Sequence, residues 1–192
     1  MNRILFASSL ALLLLLTACG GGGGGSAPAP TPVPTPTWAT SLAYTDPPAA
    51  GFRLVKNTSL STPNRLVLDL TGPSGQNAQG LSFILAADAS KVQWTTPPSA
   101  SGLVQSLAFT LGSGTPALVG KDMGGGILQG AAFQKAGSQP LGQPLLRVCL
   151  DLKPSTVAVN ANVSLLCTGG NLLSDTGSVV SLTVATGTCV AQ

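Results

Sequence analysis

Past residue 38 the apolar positions of this chain recur every second residue rather than every third or fourth. Leu66, Leu68 and Leu70 alternate with Val67, Asp69 and Thr71, and the run stops at Gly72-Pro73-Ser74-Gly75. Leu81, Phe83 and Leu85 share one face of the next run, with Ser82 and Ile84 on the other; Val92 and Trp94 then share a face before Thr95-Thr96-Pro97-Pro98. A period of two is that of a strand with one side on a core, and the Gly, Pro, Ser and Asn clusters between runs are turn chemistry. The same pattern predicts strands over 103–111, 127–133, 157–166, 179–184 and 188–191. The strongest is 145–152, where Leu146, Val148, Leu150 and Leu152 alternate with Leu145, Arg147, Cys149 and Asp151. No apolar stripe of helical period is sustained, any helix would be short, and 88–91 is one place for a helical turn. The expected body is all-β, an antiparallel sandwich or barrel of about 150 residues, enough to bury a core.

The amino-terminal residues break this pattern. Arg3 precedes an apolar stretch over 4–16 centred on Leu12-Leu13-Leu14-Leu15-Leu16. It is shorter than the roughly 20 residues that span a bilayer, and reads as the apolar core of a secretory signal peptide. Leu16-Thr17-Ala18-Cys19 resembles the lipobox of bacterial lipoproteins. That resemblance implies cleavage between Ala18 and Cys19, then acylation of the Cys19 thiol and its new amine. Each buried methylene of such chains contributes about 0.8 kcal/mol of membrane affinity. Gly20 stands where Asp would imply inner-membrane retention, so the same resemblance implies a cell-envelope protein sorted to the outer membrane. Six glycines and Ser26 follow, then Ala27-Pro28-Ala29-Pro30-Thr31-Pro32-Val33-Pro34-Thr35-Pro36-Thr37. Alternating prolines extend at about 3.1 Å per residue, a spacer of roughly 30 Å. The expected organisation is therefore a signal peptide over 1–18, an acylated Cys with a Gly- and Pro-rich tether over 19–37, and a β-sandwich domain over 38–192.

Composition narrows the chemistry. Charged residues make up 8% of the 192-residue chain, against about 25% for a typical soluble domain. There is no His and no Glu, and the six acids are all Asp. The formal charge is +3, and the cations are scattered singly with few aromatics among them, which excludes a nucleic-acid groove. General acid–base work would fall to Asp, Lys or Tyr. Asp69 and Asp151 occupy the polar positions of strands, where an exposed Asp is ordinary; Asp88 and Asp175 sit in turns. A hydrolase could rest only on Asp or on a Ser–Lys pair, and no Ser-x-x-Lys spacing marks one. Gly112-Ser113-Gly114 and Gly120-Lys121-Asp122 lack the spacing of a phosphate loop. A zinc site lacks ligands. The expectation is a non-enzyme with no catalytic residues, no cofactor and no metal.

Two further signals remain. Cys149, Cys167 and Cys189 would lie in an oxidising compartment, where one disulfide and one free thiol are expected. Three pairings are open. Alternation turns Cys149 outward with Arg147 and Asp151, which favours Cys167–Cys189, a loop of about 21 residues worth about 3 kcal/mol in the chain-entropy model. Sugar binding needs flat aromatic platforms; Trp38 and Tyr44 are the candidates, while Trp94 pairs with Val92 on the core face.

Asn64-Arg65-Leu66-Val67-Leu68-Asp69-Leu70, followed by Gly80-Leu81-Ser82-Phe83-Ile84-Leu85-Ala86-Ala87-Asp88-Ala89-Ser90-Lys91-Val92, resembles the early strands of cohesin-type domains. The later run of Gly126-Ile127-Leu128, residues 145–152 and Asn171-Leu172-Leu173-Ser174-Asp175-Thr176-Gly177 is also similar. The resemblance covers most of 42–192 through loose motifs. It implies a jelly-roll sandwich of about nine strands, related to carbohydrate-binding modules, that acts as a non-catalytic scaffolding module. Its partner would be an envelope protein, bound at an exposed sheet edge or apolar loop. Weak binding of a polysaccharide on the same fold is the alternative.

Overall fold

The computed structural model describes residues 37–110 and 117–192. The expected signal peptide over 1–18 with Ala18, Cys19, the expected tether through residue 36, and Gly112-Ser113-Gly114 lie outside the described residues. Fifteen strands and no helix make up the described part. They are β1 (Leu42–Thr45), β2 (Phe52–Lys56), β3 (Arg65–Thr71), β4 (Asn77–Ala87), β5 (Val92–Thr95) and β6 (Val104–Ser106). Next come β7 (Ala117–Gly124), β8 (Ile127–Phe133), β9 (Gln139–Pro140), β10 (Pro144–Leu152) and β11 (Asn162–Val163). The last four are β12 (Leu165–Ser174), β13 (Val179–Ser181), β14 (Val184–Ala185) and β15 (Thr188–Ala191).

Two six-stranded sheets form the sandwich. One runs β14-β2-β3-β10-β5, with β6 also on β10; the other runs β13-β12-β4-β8-β7, with β9 also on β4. A small sheet, β1-β15-β11, accompanies them. Among the described strands every pair is antiparallel except β14 with β2. The predicted alternation decides which side faces in. Leu66, Leu68 and Leu70 of β3, and Leu146, Val148 and Leu150 of β10, are buried in one cluster with Leu81, Phe83 and Leu85 of β4 and Leu128 and Ala132 of β8. Trp94 belongs to that core, and its indole Nε1 donates to the Gly126 carbonyl at 2.7 Å. Between β7 and β8, Gly124, Gly125 and Gly126 all take positive φ (83°, 60° and 82°), so the glycine tract is the tight turn of a hairpin, which other residues would close at a steric cost.

Several expected strands are interrupted where the chain changes sheet. The run over 157–166 divides at Ser164: β11 pairs with β15, and β12 pairs with β4. Asn160, at φ 65°, turns the chain just before it. The run over 179–184 divides likewise, β13 joining β12 and β14 joining β2 in parallel. Of the described residues 103–110 only β6 is strand; there Ser106 donates its hydroxyl to the Phe109 carbonyl at 2.8 Å and turns the chain. At 88–91 there is a turn rather than a helix, with the amides of Lys91 and Val92 both donating to the Asp88 carbonyl at 3.0 Å. β1, β2, β7 and β9 have no counterpart among the predicted strands, being short or broken by Gly and charge.

Candidate docking face

The sandwich turns two outer sheet faces away from its core, built from opposite chemistry. On the β3–β10–β5 side, cross-strand neighbours pair basic with acidic residues. Arg65 stands opposite Asp151, and its Nε and Nη2 donate to the two carboxylate oxygens at 2.7 Å each. Arg147 stands opposite Asp69 and does the same at 2.6 and 3.0 Å. Asn57 donates its Nδ2 to Asp69 Oδ2 at 2.8 Å. Such bidentate forks are stronger and more directional than neutral hydrogen bonds, and the one to Asp151 raises the pKa of the Arg65 guanidinium further.

Two expectations fail on this face. Asp69 is not an exposed strand carboxylate but 6% accessible, and Cys149 is not outward in water but fully buried. The register gives the reason. Val67 and Cys149 face each other in the row between the two arginine–aspartate pairs, and long arginine side chains cover apolar neighbours while keeping their heads paired. Burial pushes the Cys149 thiol up.

The outer face of the other sheet has no such pairs. Reading across the strands gives four rows: Leu166-Ala86-Ile127, Gly169-Ile84-Gln129-Lys121, Asn171-Ser82-Ala131-Val119, and Leu173-Gly80-Phe133-Ala117. Val179 extends the last row on β13. Lys121 is the only charge in these rows. Ile84, Ile127, Phe133 and Val119 are exposed, as are Leu166 (55%) and Val179 (68%). At Gly80 the Phe133 ring occupies the space a Cβ would need, so the absent side chain lets the aromatic lie down on the strand. An apolar surface of this extent with one charge is suited to burial against another surface. It was foreshadowed in the sequence, since the outward positions of β4 (Gly80, Ser82, Ile84, Ala86) carry no charge. The expected docking features were a sheet edge or a loop; the exposed apolar residues gather on a sheet face.

The remaining candidates are separated. Tyr44 is no platform. Its ring packs against the core, and its hydroxyl donates to the Leu54 carbonyl at 3.1 Å and accepts from the Gly187 amide at 2.7 Å. Burial raises its pKa to about 12. Trp38, by contrast, remains 43% exposed, beside Pro63, Asn64 and Pro154. The expected Cys167–Cys189 disulfide is not formed, and all three described cysteines are free. Cys189 is buried in the small sheet opposite Tyr44 and Val163, its thiol pushed up to about 11 by that burial. Cys167 lies in a different sheet, opposite Leu85 of β4. Asp88 serves its turn: it accepts from Lys91 Nζ at 2.6 Å and from Ser90, and these hydrogen bonds lower its pKa to about 2. Among the described residues no three Cys or Asp side chains gather as a metal site.

No protein-family model matches the chain, and no curated protein matches it. Solved structures do. The sixth cohesin of scaffoldin B from Acetivibrio cellulolyticus, in complex with a dockerin, matches with a TM-score of 0.51 at 15% identity, covering 72% of this chain and 97% of that one. A chain of a type II cohesin–X-dockerin complex from the same organism matches with a TM-score of 0.50 at 10% identity, covering 71% of this chain and 94% of that one. The fold is a cohesin-like β-sandwich.

Proposed function

We propose that this chain is a non-catalytic docking module, held at the cell envelope by lipid on Cys19, that binds a protein partner through the outer face of the β13-β12-β4-β8-β7 sheet. The observation that carries the reading is the charge-poor apolar face of Ile84, Ile127, Phe133, Leu166 and Val179, set against a second face closed by ion pairs. Its partner buries apolar area and presents few charges, because an unpaired charge buried there would be costly. The cohesin-like fold supports the reading, since the two matched solved structures are complexes with dockerin. The lipobox residues Leu16-Thr17-Ala18-Cys19 and the Pro-rich tether support the anchoring half, and Gly20 supports the outer membrane.

Two experiments test the halves separately. A photo-crosslinking residue at Gln129 in living cells is expected to trap one partner that the same residue at Gln93 does not, and Leu166→Asp is expected to abolish the adduct. Equal trapping from both positions, or none from either, overturns the docking face. Mass spectrometry of the mature protein is expected to find an acylated amino-terminal Cys19; a mature chain without fatty acid overturns the anchor.

A further inference from the structure

The start of the described chain, the end of β10 and the loop between β2 and β3 enclose a cleft of about 380 Å³. Trp38, Pro63, Asn64, Leu152, Pro154 and Ser155 line it. Backbone hydrogen bonds fix its walls. Ala39 N donates to Val157 O at 2.8 Å, Leu42 N to Pro63 O at 2.7 Å and Leu152 N to Asn64 O at 2.9 Å. Trp38 itself bridges to Ala158. The concavity is therefore preformed, and its volume falls within the range of small-ligand sites.

Three features define what it would hold. The Trp38 indole is left 43% exposed at the rim although its backbone is pinned and its neighbour Ala39 is buried. No lining residue is ionisable, so nothing in the cleft matches a charged ligand. The rim still offers polar groups. Asn64 Oδ1 accepts from the Thr62 hydroxyl at 3.1 Å, and its amide NH2 has no hydrogen-bond partner among the described residues. Ser155 presents its hydroxyl from a backbone at φ 57°, a conformation that costs energy for a residue with a side chain. The matching ligand is neutral, with one flat C–H face for the indole and hydroxyls around its edge for Asn64 and Ser155. A pyranose ring has that form. A proline-rich segment, such as residues 27–37 of a second copy, would also lie on the indole but would leave those rim groups without partners.

We propose that the Trp38 cleft binds a neutral sugar residue of a polysaccharide, independently of the sheet face. The test titrates the full chain and its variants with cellohexaose, xylohexaose and chitohexaose by isothermal calorimetry, which reads affinity with or without Trp38, and follows tryptophan emission wherever Trp38 is kept. The chain has two tryptophans, and Trp94 is buried, so a solvent-exposed signal belongs to Trp38. A saturable blue shift is expected with at least one sugar. Affinity should fall about tenfold or more in Trp38→Ala, fall less in Asn64→Ala, and stay unchanged in Leu166→Asp. Trp38→Phe, which keeps a smaller platform, should fall between wild type and Trp38→Ala. If Trp38→Ala does not fold, Asn64→Ala and Trp38→Phe carry the comparison. No saturable shift with any of the three sugars, unchanged affinity in these variants, or a shift only with a synthetic peptide of residues 27–37 overturns the proposal.

Discussion

The two outer faces of the sandwich meet the same problem, an outward sheet surface on a chain with few charges, in different ways. On the β3–β10 side two arginines and two aspartates are placed opposite one another, and the row between them, Val67 with Cys149, is fully buried. On the β4–β8 side the rows hold Gly, Ala, Ser, Val, Ile, Leu and Phe, with one Asn, one Gln and a single Lys. The chain has only six acids, and two of them are committed to closing one face. Concentrating charge on one sheet leaves the other free to bury surface against a partner, since an ion pair that must be desolvated at an interface gains little net affinity. The contrast separates a face built for stability from one available for binding.

The largest effect that would break this contrast lies on the paired face. Arg147→Met strands the buried Asp69 carboxylate with Asn57 alone, and the expected loss is about 3–5 kcal/mol in a urea melt. The double change with Asp69→Leu should recover most of it, because two apolar side chains leave no buried charge. On the opposite face Gly80→Ala drives a methyl into the Phe133 ring and to 2.6 Å from the Ala132 carbonyl. About 1–3 kcal/mol of stability should be lost, read in the same melts. A smaller effect sits where the chain crosses from β4 to β5. Asp88, with its pKa lowered to about 2 by Lys91 and Ser90, adds stability that is present above its unfolded pKa, about 4, and is lost as pH falls through about 2. The pair is partly exposed, so Asp88→Asn should remove less than about 1 kcal/mol at neutral pH, with the difference from the unaltered chain closing as pH falls from about 4 through about 2. Least of all, Leu166→Asp should change stability by no more than about 0.5 kcal/mol while abolishing the crosslink from Gln129. A large loss of stability there would assign the β4–β8 face to the fold rather than to a partner.

Much of the architecture was legible because a strand with one buried side writes its period into the sequence. The predicted run over 127–133 is β8, residue for residue, and the face assigned to Leu81, Phe83 and Leu85 is the buried one. Legibility failed where that rule does not hold. β7 is an exposed edge strand with Gly120, Lys121 and Asp122 in its middle, so no burial disciplines its pattern. β11 and β12 read as one run because alternation continues through a point where the chain changes sheet. Asp69 and Cys149 alternate correctly with the core leucines, yet they are buried, because alternation names the side of a sheet and not what covers that side. Trp38 and Tyr44 looked alike as candidate platforms; the bonds of Tyr44 to Leu54, ten residues on, and to Gly187, 143 residues on, are what set it apart.

The all-β class, the positions of the main core strands and the scarcity of ionisable chemistry follow from composition and local period alone. The sequence also carries Leu16-Thr17-Ala18-Cys19, and anchoring through Cys19 is proposed from the resemblance of those residues to a lipobox. Which outward rows are sealed by ion pairs, which stay bare and which cysteines are kept apart in different sheets became readable only in the folded chain. Those outcomes depend on cross-strand register, and register joins residues such as Arg65 and Asp151 that lie far apart along the chain.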